Sequence, residues 1–196
     1  DIILFINGLP LVLIELKNSS DEKADLQAAY NQIDTYKQEI PSLFLYNELI
    51  ILSDGTYAEA GTLTSNKEWF LPWKTIDGND TAPKTIPQIE VLTKGLLNTP
   101  TILYIIHNFI TFSKENKKIN KILAGYHQYH AANKALQSTI NATKKSRKAG
   151  VIWHTQGSGR SPPSRSARCR EAPAAHFRQS GWRAIPRHPA TRPGSC

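Results

Sequence analysis

Three charged residues sit where a pair of greasy strands should have none. Asp1 opens the run DIILFI, Glu15 and Lys17 close the run LVLIELK, and Asn7-Gly8 lies between the two. Charge set against an otherwise consistent apolar pattern is the usual mark of a functional position. Two carboxylates held together on a sheet, with an ammonium beside them, make a site for a hard cation. Mg²⁺ accepts one or two carboxylates and keeps several of its waters. A lysine next to such a water can orient it and stabilise charge developing on a phosphate, which is metal-assisted phosphodiester hydrolysis. The same charges also suit a solvated strand end, and an acid followed by Glu-x-Lys does not by itself separate the two readings.

The elements that must position these residues follow from the pattern. Residues 1–6 and 11–17 read as a hairpin across the Asn-Gly turn signal. Residues 11–14 are apolar on both faces, which requires an interior strand. Hairpin registers differing by one residue place Asp1 opposite Ile14, Glu15 or Leu16, and the sequence does not choose among them. Glu15 and Lys17 are two apart and share a face. A helix then runs to Ile40, opened by a Ser19/Glu22 capping box and carrying Leu26, Ala29, Ile33 and Tyr36 at helical spacing. Gln32 and Tyr36, at i and i+4, project from one face of it. The strand that follows is clearest at residues 49–52. Strand, helix and strand in this order predict a parallel crossover, hence an α/β fold. Residues 56–64 read as another strand and residues 68–76 as an aromatic packing segment. Residues 86–97, 101–112 and 119–143 read as helices, the first two separated by Pro100 and the third with Ile122, Tyr126, Tyr129, Ala132, Leu136 and Ile140 spaced for one buried face. Residues 150–154 read as a short strand running into Gly157, Ser158, Gly159, Arg160 and Ser161.

Charge is unevenly distributed. Residues 1–150 carry 16 Lys+Arg against 15 acids, whereas residues 151–196 carry eight Arg, no Lys and one acid, Glu171. Both cysteines, Cys169 and Cys196, fall in that tail, so no disulfide framework is expected. No apolar run approaches the ~20 residues of a membrane helix, and the acidic, β-like start does not resemble a signal peptide. From Pro162 onward, Ile, Asn and Lys give way to Arg, Pro, Ala and Gly without periodicity. The composition reads as a disordered basic tail. A shift from AT-rich to GC-rich codon usage points to a frameshift or foreign sequence; a native tail that binds nucleic acid is the competing reading.

The stretches NGLPLVLIELKN, AYNQIDTYKQEIPSLFLYNELIILSDG, FLPWKTIDG, YHQYHAANKAL and AGVIWHTQGSG, in that order, resemble the type I restriction enzyme R subunit, the nuclease and motor chain. The resemblance spans roughly residues 1–161. It implies a PD-(D/E)xK restriction-endonuclease-like core over residues 1–76, a mixed sheet flanked by helices. A helical connector over 77–148 and the start of a P-loop motor domain over 149–161 would follow, with the tail over 162–196. It implies Mg²⁺-dependent cleavage of double-stranded DNA, coupled in the full-length parent to ATP-driven translocation. Methylation and specificity subunits would be the partners, in a bacterial or archaeal cytoplasm, with no membrane. On this resemblance Asp1 and Glu15 are the metal ligands and Lys17 is the catalytic lysine. Gln32 and Tyr36 fall on the family's Gln-x-x-x-Tyr motif and would hold DNA or water. Gln128 would read adenine, and residues 157–161 would cradle the ATP phosphates. The chain departs from the family there, with Arg160 where the loop needs Lys and Pro162-Pro163 where a helix should open. No ATPase activity is therefore expected. In this fold a helix and a strand usually precede the metal-binding Asp. A chain starting at Asp1 is expected to expose an apolar sheet edge and to aggregate. Two other outcomes stay open: a non-catalytic basic DNA-binding fragment and an inactive pseudogene product.

Overall fold

The computed structural model describes residues 1–17, 26–115, 118–144 and 150, with the backbone of 153–154 and 176–177. The fold is mixed α/β, built on a five-stranded sheet in the order β1-β2-β3-β4-β5. Its strands are β1 (Ile2–Ile6), β2 (Leu9–Leu16), β3 (Leu49–Ser53), β4 (Ala58–Gly61) and β5 (Leu71–Pro72). β1 and β2 form the expected hairpin. Asn7 at φ 51° and Gly8 at φ 80° are both left-handed, as a type I′ turn demands, and that turn matches the twist of its strands. β2 runs parallel to β3, joined by helix α1 (Leu26–Glu39), while β3, β4 and β5 pair antiparallel.

β2 is interior, and alternation along it feeds two cores. Val12 and Ile14 join Leu49, Ile51, Ala58 and Ala60 on one face, under helices α2 (Gln88–Gly95) and α3 (Thr99–Asn108). Leu13 faces the other way, with Ile50 and Leu52, under Ala29 and Ile33 of α1. Residues on both sides of position 76 share the first of these clusters, Trp73 with Leu92, Leu96, Ile102 and Ile105. α2 and α3 complete the sheet's second face, and the chain divides into compact units Asp1–Tyr129 and His130–Cys196. The start of the expected first helix and its Ser19/Glu22 capping box lie outside the described residues.

Three expectations are corrected. Pro100 sits within the first turn of α3, where Asn98 caps the helix by accepting from the Thr101 N–H at 3.1 Å. Proline in the first turn leaves no needed donor missing. The connector is also not wholly helical. α3 stops at Asn108, and β6 (Ile110–Glu115) pairs antiparallel with β7 (Lys118–Leu123), so α4 covers only Tyr126–Lys144. Tertiary anchoring overrides the helical spacing of Ile119, Ile122 and Tyr126. The Lys121 carbonyl accepts from the Thr62 and Thr64 hydroxyls at 2.6 and 3.1 Å. Its N–H donates to Thr64 Oγ1 at 2.6 Å, and its ammonium donates to the Asn47 carbonyl and pairs with Glu48. Finally, the apolar stripe expected on α4 is not a buried face, since Leu136 and Ile140 are exposed. Of the tail read as disordered, only the backbone of His176–Phe177 is described, and it pairs in parallel with Trp153–His154.

Gly95 closes α2 against the loop that carries Trp73. A methyl group there would collide with the Thr75 carbonyl oxygen and lie 2.7 Å from Trp73 Nε1. Gly95→Ala is expected to cost about 1–3 kcal/mol through overpacking, read as a lower urea midpoint with unchanged slope. A midpoint equal to wild type would contradict this packing.

Candidate metal and phosphodiester site

The site is assembled on the α1 face of the sheet, where β2 and β3 end together. Ile2 pairs with Ile14, so the register carried one residue outward sets Asp1 opposite Glu15. Directly opposed residues of an antiparallel pair have Cα atoms about 4.5–5.5 Å apart and share a face. Glu15 pairs in turn with Leu52 of β3, and the Lys17 N–H donates to the Ser53 carbonyl at 2.8 Å. That bond pins the backbone of Lys17 beside β3, and its side chain returns along the strand to Glu15.

Burial makes Glu15 unlike an ordinary strand-end acid. It is 1% exposed. Its Oε1 accepts from Lys17 Nζ at 2.8 Å, whereas Oε2 is buried with no hydrogen-bond partner among the described residues. A buried carboxylate oxygen without a donor is costly, and a bound cation is one way to satisfy it. Asp1, on the same row, is exposed, so the pair offers one dry and one wet carboxylate. This donor set suits Mg²⁺, which takes one or two carboxylates and completes its octahedron with water. Among the described residues no group of three or more His, Cys, Asp or Glu could hold a metal, so an all-protein cage is not available there.

α1 lies over this face. Ala29 and Ile33 are fully buried against the sheet, which aims Gln32 and Tyr36 at the strand ends. The Tyr36 hydroxyl donates to Asp1 Oδ2 at 2.6 Å, and Gln32 hydrogen-bonds that hydroxyl. Burial pushes the Tyr36 phenol above its ordinary pKa. The negative charges of Glu15 and Glu39 push the same way, and the Gln32 hydrogen bond partly opposes them. The phenol is therefore a proton donor at neutral pH. Sequence spacing put Gln32 and Tyr36 on one helix face but carried no signal for the contact with Asp1, 35 positions away.

The structure thus brings Asp1, Glu15, Lys17, Gln32 and Tyr36 together. Gln128 stands apart from them, in the first turn of α4, where its Oε1 accepts from the Gly125 N–H at 2.9 Å. There it caps the helix. Gly157, Ser158, Gly159, Arg160 and Ser161 lie outside the described residues.

A mixed sheet with paired acids and a lysine at the end of an interior strand defines the class of protein to compare. Residues 1–69 match the family model described as type I restriction enzyme R protein N terminus. Residues 127–167 match that of the SWI2/SNF2 ATPase. The chain is 46% identical over 167 residues to the type I restriction enzyme HindI endonuclease subunit of Haemophilus influenzae, covering 82% of this chain and 16% of that protein. It is 26% identical over 182 residues to the putative MjaIXP endonuclease subunit of Methanocaldococcus jannaschii, covering 82% and 17%. A Staphylococcus aureus type I endonuclease subunit is 27% identical over 161 residues, covering 82% and 16%. The chain belongs to the type I restriction enzyme R-subunit family, and it spans about a sixth of the length of these relatives.

Lys17→Met leaves Glu15 buried without its counter-charge. An uncompensated buried acceptor costs about 1–3 kcal/mol, so urea denaturation should show a loss of that order. The double variant Glu15→Gln/Lys17→Met should regain most of it. Equal stability of wild type and Lys17→Met would contradict the buried pair.

Proposed function

We propose that this chain carries the Mg²⁺-dependent DNA-cleaving centre of a type I restriction endonuclease R subunit, on a PD-(D/E)xK nuclease core. The observation that carries this reading is Glu15, a buried carboxylate whose Oε2 has no donor among the described residues and whose strand neighbour is Asp1. Asp1 and Glu15 would hold the ion. When bound, Mg²⁺ supplies an activated water and offsets charge on the phosphate. The rest is done by side chains of this chain. Lys17, on the same face as Glu15, orients the attacking water and stabilises the negative charge that builds on the scissile phosphate. The apolar strand behind Glu15 keeps bulk water from the buried side, which strengthens every charge interaction in front of it.

The substrate of this reading is double-stranded DNA, with cleavage coupled in the full-length enzyme to ATP-driven translocation. Methylation and specificity subunits would supply sequence recognition in a bacterial or archaeal cytoplasm. No helix among the described residues is long and apolar enough to cross a membrane. ATP turnover is not assigned to this chain. Arg160 stands where a phosphate-binding loop uses Lys, and a planar guanidinium does not replace a compact ammonium. Eight Arg and one acid in residues 151–196 favour a second reading, non-catalytic DNA binding through the tail. Removing residues 162–196 would then abolish binding without touching nicking.

The test is nicking of supercoiled plasmid by the purified chain with Mg²⁺. Lys17→Ala and Glu15→Gln should each reduce it by about a hundredfold or more, the scale of a positioned catalytic group. Nicking that survives Lys17→Ala at the wild-type rate would sink the assignment.

A further inference from the structure

We propose that Gln32 and Tyr36 are positioning residues that fix the Asp1 carboxylate for the cation, so that helix α1 sets the geometry of the metal site instead of contacting DNA. The inference rests on the reading that Asp1 and Glu15 bind the ion. The two carboxylates differ in what holds them. Glu15 is held by burial and by Lys17 at 2.8 Å. Asp1 is exposed, and among the described residues the adjoining β1 is an edge strand whose one hydrogen-bonded neighbour is β2. A short acid in that position samples several rotamers unless something restrains it.

The restraint comes from α1. Tyr36 donates to Asp1 Oδ2 at 2.6 Å, which leaves Oδ1 available to a cation. Gln32, one turn earlier, hydrogen-bonds the same hydroxyl and fixes its direction. Ala29 and Ile33 anchor the helix with no exposed surface, so the chain of contacts runs from the core to the ligand atom. Outer partners of this kind orient metal ligands and tune affinity. The phenol's one proton is committed to Asp1 here, which is what a positioning role requires.

The test is Mn²⁺ affinity measured by electron paramagnetic resonance on the full chain, without DNA. Tyr36→Phe should weaken binding about tenfold and Gln32→Ala by less, with the thermal midpoint of the metal-free protein unchanged. In an Asp1→Asn background, Tyr36→Phe should add nothing, because the carboxylate it orients is gone. Wild-type affinity in Tyr36→Phe, or an undiminished further loss in the Asp1→Asn background, overturns the proposal. Loss of binding in Glu15→Gln beside wild-type binding in Tyr36→Phe overturns the positioning role alone. Wild-type binding in Glu15→Gln overturns the metal site and this inference together.

Discussion

A carboxylate at the dry end of an interior strand is tolerable only beside a cation. Glu15 occupies such a place, and the rest of the site is arranged around that constraint. Its burial follows from the strand it closes: Val12, Leu13 and Ile14 are covered on both sides, so the last inward residue is drawn into the same dry layer. Lys17 satisfies one oxygen. The remaining oxygen, the opposed Asp1 and the tyrosine above Asp1 are what make the arrangement more than an internal salt bridge.

The supporting fold divides its labour by face. On one side α1 carries the polar groups that reach the strand ends, and its own buried positions are a small Ala29 and a branched Ile33. On the other side α2, α3 and the aromatic group of Trp73, Phe109, Tyr126 and Tyr129 seal the sheet. The β6–β7 hairpin is tied to the sheet through Lys121. That residue binds two segments at once, the loop entering β3 and the loop leaving β4. The edge strand β1 is the exception. Its outward residues, Phe5 at 61% exposure among them, are not covered by described parts of the chain. A bare apolar edge of this kind favours association.

Much of the hairpin and of β2 was legible in the sequence, because local chemistry decided them. Asn7-Gly8 specifies a turn whose φ values few other residues adopt, and an apolar run on both faces admits only an interior strand. The register was not legible, since the three candidate pairings differ by one residue and the sequence scores them alike. The bulge between Leu4 and Phe5 adds to that ambiguity. The β6–β7 hairpin was missed for a different reason. Ile119, Ile122 and Tyr126 sit at helical spacing, and the bonds that hold Lys121 in a strand come from residues 57 and 59 positions away. The same limit hides the Tyr36–Asp1 contact. Resemblance to a family placed Gln32 and Tyr36 near the site, and only the fold gives them atoms to touch.

On the proposed reading, Asp1 and Glu15 together hold a divalent cation. The most direct measurement is a crystal of the chain soaked in Mn²⁺ and recorded at a wavelength where manganese scatters anomalously. An anomalous peak is expected between the Asp1 and Glu15 carboxylates, about 2 Å from an oxygen of each, and no such peak in Glu15→Gln. A clear map without a peak there, or with the ion bound elsewhere on the molecule, would contradict it.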